Sequence, residues 1–147
     1  MARSIITVDF ETFYDKNFSL SKLSTQQYVD DPRFEVIGVA VKVDDGPTTW
    51  FSGTKDETEE FLRQYDFENS YLLAHNALFD ATIITWRFGI IPFKVLDTLS
   101  MARAVHGTEV GGSLAKLAQY YALGEKGTEV VNALGKRRQD FQPDELE

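Results

Sequence analysis

Ser4-Ile5-Ile6-Thr7-Val8-Asp9-Phe10-Glu11-Thr12 reads as a β-strand with an electrostatic problem. A strand sends alternate side chains to opposite faces, so Ile6, Val8 and Phe10 share one face and Thr7, Asp9 and Glu11 the other. Two carboxylates then lie roughly 6–7 Å apart on one face of an apolar strand expected to be central. They repel each other there and are poorly solvated. Something positive is expected between them.

Working outward, the polar stretch 12–33 is irregular, with a short helix expected at Thr25–Asp30. Phe34–Val43 alternates as a second strand. Asp44-Asp45-Gly46-Pro47 is a turn signal into a third strand, Thr48–Phe51, so the first three strands form an antiparallel meander. The pattern then becomes an alternation of strands and helices. Asp56–Tyr65 starts acidic and carries Phe61, Leu62 and Tyr65 on one side of a helix. A short buried strand, Tyr71–Ala74, precedes a helix over Ala77–Phe88, with Leu78 and Ile84 facing inward and Gly89 as its stop. Val95–Leu96 is a fifth strand, followed by helices near Thr98–Val105 and from a Ser113 cap through Tyr121. This order predicts one α/β domain with a mixed five-stranded sheet, part meander and part parallel, flanked by helices. Right-handed crossovers put strands four and five parallel to strand one on its other side.

The 147 residues suffice for one domain with a sizeable core, and residues 1–147 contain no internal repeat or linker. With no cysteine, disulfides and thiolate-bound zinc are excluded. No apolar run nears the ~20 residues that cross a bilayer, and residues 1–30 lack a signal-peptide pattern, so a soluble cytoplasmic protein with no membrane partner is expected. A net charge of −8 argues against broad attachment to nucleic acid through a basic surface. It does not exclude a nucleic-acid enzyme whose metal ions neutralise phosphates, and Lys136-Arg137-Arg138 offers one local basic patch.

The second informative stretch is His75-Asn76-Ala77-Leu78-Phe79-Asp80, which runs from a strand end into the first turn of a helix. In a parallel alternation that junction lies at the carboxyl edge of the sheet, where sites gather. Asp9 and Glu11 end strand one at the same edge, so Asp80 can converge on them. Three oxygen donors without cysteine suit a hard divalent cation, magnesium or manganese. Each acid also has a plainer reading. Asp80 favours a helix dipole from the first turn, and Asp9 and Glu11 serve as rim carboxylates paired with Lys or Arg. His75 reads as a strand-end histidine satisfied by backbone, and His106 as a polar cap before Gly107.

These residues carry a resemblance. Asp9-Phe10-Glu11-Thr12 resembles the first motif of the DEDD superfamily of 3′–5′ exonucleases, which have a ribonuclease-H-like fold. His75-Asn76-Ala77-Leu78-Phe79-Asp80 resembles the second motif, and Leu96-Asp97-Thr98 the strand-to-helix segment that often follows. The wording, including Ser113-Leu114-Ala115-Lys116-Leu117, is most similar to the proofreading domain of phage-type family A DNA polymerases. The resemblance implies a two-metal phosphodiesterase using Mg²⁺ or Mn²⁺, two ions in the complete site. Asp9 would bridge both ions, Glu11 would bind the catalytic one, and Asp80 would hold the second. Thr12 and Phe13 would meet the terminal nucleotide, and Asn76 and Phe79 would line its pocket. The implied substrate is a single-stranded DNA 3′ end. A DNA polymerase, fused or separate, is the implied partner, and a bacterial host's cytoplasm the location if the gene is of phage origin.

The chain departs from the family in one respect. The fourth carboxylate of a late helix, preceded by a Tyr or His, has no match. Tyr121-x-x-x-Glu125 has the spacing, but with Glu for Asp and beside Gly124. Phe141-Gln142-Pro143-Asp144-Glu145-Leu146-Glu147 carries a helix-start signature and then stops. The expectation is a truncated last helix. Two alternatives therefore stand beside the exonuclease: a nucleic-acid- or polymerase-binding module that keeps the fold without the chemistry, and another ribonuclease-H-like nuclease. The close Asp-x-Glu pair disfavours the last.

Overall fold

Strand one occupies the centre of its sheet. A computed structural model describes residues 2–125 and 133–146. Its strands are β1 (Ile5–Thr12), β2 (Val36–Val43), β3 (Thr48–Phe51), β4 (Tyr71–Ala74) and β5 (Lys94–Asp97). They stand in the order β3-β2-β1-β4-β5. β1 pairs antiparallel with β2, and β2 with β3. β1 and β4 are parallel, as are β4 and β5. This is the mixed sheet the element order predicts.

The face assignment holds. Ile6, Val8 and Phe10 are buried, while Asp9 is exposed and Glu11 half-buried. The buried side packs under α1 (Thr25–Asp30) and α3 (Ala77–Thr82), which runs on into a π-helical turn, Ile83–Arg87. Phe10 stacks on Phe88 with centroids 6.1 Å apart, and Phe18 on Tyr28 at 4.5 Å. Each fully buried ring contributes roughly 2–3 kcal/mol of hydrophobic stabilisation.

Local chemistry sets the helix ends. Ser24 and Gln27 form a reciprocal capping box at the start of α1. Thr54 and Glu57 form another at the start of α2 (Lys55–Leu62). Ser113 caps α5 (Leu114–Tyr120), accepting from the Lys116 N–H at 3.2 Å. Asp97 caps α4 (Thr98–His106).

Two expectations need correction. Leu78 is 66% exposed. It lies six residues from Ile84, about 120° away around the helix, whereas Ala77, Asp80 and Ile84 share the buried stripe. The Lys136–Arg138 patch is largely consumed internally: Lys136 pairs with Glu145 at 3.2 Å and Arg137 with Glu35 at 2.8 Å. Residues 141–146 form a single 3₁₀ turn, Pro143–Glu145, and Glu147 lies outside the described residues. The Trp50 indole N–H donates to the Leu146 carbonyl, so this segment folds back onto the sheet. Among the described residues no helix is long and apolar enough to cross a membrane.

Candidate active site

β4 is shorter than β1, and that mismatch builds the site. Only Ile5–Thr7 of β1 pair with β4. Beyond Thr7 the β4 side of β1 has no strand beside it, and the Phe10 N–H points into the gap. Asp80 fills it: its Oδ1 accepts that N–H at 3.0 Å. The carboxyl thus takes the place of the next ladder acceptor, below the strand whose opposite face carries Asp9 and Glu11.

A left-handed residue brings the helix there. Asn76 (φ 64°) turns the chain between β4 and α3, a conformation that asparagine tolerates better than most side chains. Its N–H donates to Asp97 Oδ1 at 2.9 Å, which also accepts from Leu99 N–H at 3.0 Å. Burial is the largest single influence on Asp97 and pushes its pKa up, yet hydrogen bonds from Ala77, Leu99, Ser100 and Asn76 together hold it below the ordinary value. Asp97 is a knot tying the end of β5 to the turn that aims Asp80.

Asp80 is only 3% exposed. Its pKa is pushed up from 3.8 to about 7, first by burial, and further by the charges of Asp9 and Glu11. The Phe10 N–H opposes this without cancelling it. The three acids therefore sense one another.

A cleft of about 590 Å³ opens over Asp9 and Glu11. Across from them it is walled by His75, by Thr98, Leu99 and Arg103 of α4, and by Gly112–Leu114. His75 is fully engaged, its Nδ1 2.8 Å from the Thr98 hydroxyl and its Nε2 2.8 Å from the Gly112 carbonyl. It matches the expected satisfied histidine and pins the loop before α5 to the sheet edge. Arg103 was not legible as a site residue. Its signal was helical spacing: Leu99 and Arg103, four apart, share a face of α4.

A second cleft, about 270 Å³, lies beyond Glu11 and is lined by Glu11, Thr12, Tyr14, Tyr28 and Phe79 among others. Glu11 is the wall common to both. The Tyr28 hydroxyl donates to the Phe13 carbonyl, so the 2.8 Å contact between Thr12 Oγ1 and Tyr28 Oη has Thr12 as donor. Thr12 and Phe79 both line this cleft. Asn76 is exposed and borders neither. Phe13 is a correction: at 6% exposure, stacked on Phe18 and covered by the Arg137 guanidinium, its ring has no face to offer a substrate. Tyr121 bonds His106 Nε2 through its hydroxyl at 2.7 Å, and neither it nor Glu125 lines the cleft.

The oxygen-only donor set and the mutual repulsion recorded in Asp80 fit a hard divalent cation in chemical type. Among the described residues, however, no three His, Asp or Glu side chains stand close enough to share one ion.

No protein-family model and no curated protein sequence matches the chain. Solved structures do. Brucella melitensis NrnC aligns with a TM-score of 0.65 at 12% identity, over 97% of this chain and 63% of its own. NrnC with bound Mg²⁺ aligns at 0.61 and 13%, over 84% and 56%. Trypanosoma brucei RNase D, in complex with RNA U12, aligns at 0.63 and 15%, over 95% and 47%. The family B DNA polymerase of the hyperthermophilic archaeon Pyrobaculum calidifontis aligns at 0.58 and 16%, over 85% of this chain and 19% of the polymerase. The chain therefore has the ribonuclease-H-like fold of these proteins. It spans less than two thirds of the length of NrnC. The polymerase among them is of family B, so the likeness to family A proofreading domains remains one of motif wording.

Proposed function

We propose that this chain is a 3′–5′ exonuclease domain of the DEDD type, acting on single-stranded nucleic-acid ends with Mg²⁺ or Mn²⁺. One observation carries the reading: Asp80 is buried on the Phe10 N–H, the residue between Asp9 and Glu11, with its pKa raised to about 7 first by burial and further by those two charges. A purely structural acid in that position would be a liability, since the same fold is served by a neutral acceptor.

Asp9, Glu11 and Asp80 are the residues that would hold the metal. Bound there, divalent ions supply an activated water and neutralise charge on the attacking and leaving oxygens. The chain's own residues do the rest. Arg103 faces the acids across the cleft and is placed to take a phosphate oxygen of the strand. His75 holds the Gly112 loop, and with it the far wall, in position. Beyond Glu11, the smaller cleft with Thr12 and Phe79 receives the terminal nucleotide. Motif wording points to DNA and a polymerase partner; among the structural neighbours, NrnC is bound to pGG and RNase D is in complex with RNA U12.

A second reading, a binding module without chemistry, is favoured by one fact: among the described residues the only acids that line the cleft are Asp9 and Glu11. Incubating 5′-labelled deoxy- and ribo-oligonucleotides with the protein in Mn²⁺ separates the two. The nuclease gives products shortened from the 3′ end, and Asp9→Ala abolishes them. Tight binding with no shortening of either strand establishes the binding module instead.

A further inference from the structure

Round the edge of the sheet from the cleft lies a second cavity, of about 260 Å³, that the nuclease reading does not use. Val36, on its wall, is the register partner of Thr12, the last residue of β1. Phe88, also on its wall, stacks on Phe10, which points to the face opposite Asp9 and Glu11. The cavity therefore shares the active edge of the sheet but opens on the other face.

Its lining is cationic although the chain as a whole is acidic. Lys55, Arg87 and Arg138 converge on it from three distant segments. Arg87 lies over the Phe34 ring at 5.0 Å, which fixes its plane. Among the described residues neither the Arg87 nor the Arg138 guanidinium forms an ion pair. Lys55 has a loose partner in Glu59 at 3.7 Å. The acid on the wall, Glu35, is already neutralised: Arg137 Nη1 donates to one oxygen at 2.8 Å and the Arg138 N–H to the other at 2.8 Å. Nearby Glu57 accepts the Thr54 N–H at 2.8 Å and has its pKa lowered, chiefly by that bond and only slightly by Arg138. Two half-buried guanidiniums and an ammonium facing one small cavity suit a tetrahedral dianion or diester, because guanidinium forks match phosphate oxygens two at a time.

We propose that this cavity is a phosphate-binding site that holds the backbone of a nucleic-acid strand after it leaves the catalytic cleft. Phosphate recognition stands on the cavity alone; the strand as its source rests on the nuclease reading. The site acts as an anchor outside the chemistry, giving the strand a second grip on a protein whose net charge repels it.

The test is calorimetric titration in EDTA, where no metal draws the strand into the cleft, with the oligonucleotide (dT)₆ and with inorganic phosphate as probes. Arg138→Gln is the cleanest variant, since Arg138 holds Glu35 through its backbone N–H and keeps that bond when the side chain is cut. Arg87→Gln is the second. Each is expected to weaken (dT)₆ about tenfold. The pair together should lower the slope of log affinity against log salt by about one to one and a half. Wild-type affinity in both arginine variants, or no saturable binding of either probe, overturns the site. Phosphate binding as tight as (dT)₆ overturns the strand assignment. Loss of exonuclease activity in Mn²⁺ with arginine-dependent binding intact in EDTA overturns the nuclease reading while this site stands.

Discussion

Replacing Asp80 by asparagine should stabilise the metal-free protein at alkaline pH. The carboxyl is 3% exposed and its pKa is raised from 3.8 to about 7. Between these values the unfolded chain has lost the proton and the folded chain retains it, so stability falls as pH rises from about 4 to 7 and then levels off. Three pKa units at about 1.4 kcal/mol each set a ceiling of about 4 kcal/mol. Asparagine keeps an oxygen for the Phe10 N–H, which bonds Asp80 at 3.0 Å, but introduces buried amide hydrogens that cost about 1–3 kcal/mol if unpartnered. The net expectation is a gain of about 1–3 kcal/mol at pH 8, or roughly 3–9 °C in Tm for a chain of this size. At pH 4, where the folded carboxyl is protonated and the unfolded one about half so, most of the advantage should vanish. Thermal unfolding in EDTA at pH 4, 6 and 8 reads this directly. Adding Mn²⁺ at pH 8 should raise the Tm of the parent and leave the variant unmoved. A variant less stable than the parent at pH 8, or a difference that does not change with pH, refutes the buried-charge argument.

Asp9→Ala should abolish calorimetric Mn²⁺ binding; equal affinity in the variant removes Asp9 from the ligand set. If the domain is a nuclease, Arg103→Gln should reduce kcat/KM on oligonucleotides about tenfold or more while leaving Mn²⁺ affinity unchanged, because Arg103 stands across the cleft from the acids. Gly38→Ala should lower stability by about 1–3 kcal/mol in chemical denaturation, since a Cβ there would sit 2.2 Å from the Trp50 ring and push the indole off the Leu146 carbonyl. Thr54→Ala should cost about 1 kcal/mol by removing the cap of α2, and an unchanged denaturation midpoint would show that cap to be dispensable.

Much of the fold was legible because periodicity is a local property. The alternation in residues 4–12 placed Ile6, Val8 and Phe10 inside and Asp9 and Glu11 on the cleft side, and turn chemistry at Asp44–Pro47 marked the β2–β3 hairpin. Boundaries drifted where tertiary pairing decides them: β2 begins at Val36 rather than Phe34, and β5 extends over Lys94–Asp97 rather than two residues. Leu78 misled because an apolar residue in a helix says nothing of its azimuth until a neighbour is known. Phe13 misled similarly, since an aromatic beside a site motif serves equally well as core, and the Phe18 and Arg137 contacts that decide the matter come from distant segments.

The sequence by itself determined which residue types occupy each face, where the chain turns, and that its acids lack any thiolate company. It proposed the candidate acids Asp9, Glu11 and Asp80 as a set, because their spacing places them at strand and helix ends of one sheet edge. Only the tertiary structure decided where Asp80 sits: β4 stops short, and Asp80 takes the ladder position beside Phe10. It alone brought Arg103 and His75 to the same cleft, and Arg87 and Arg138 to another. The physical reason is range. Side-chain alternation and capping act over a few residues, whereas burial, charge coupling and cavity shape depend on segments brought together from 50 to 100 positions away.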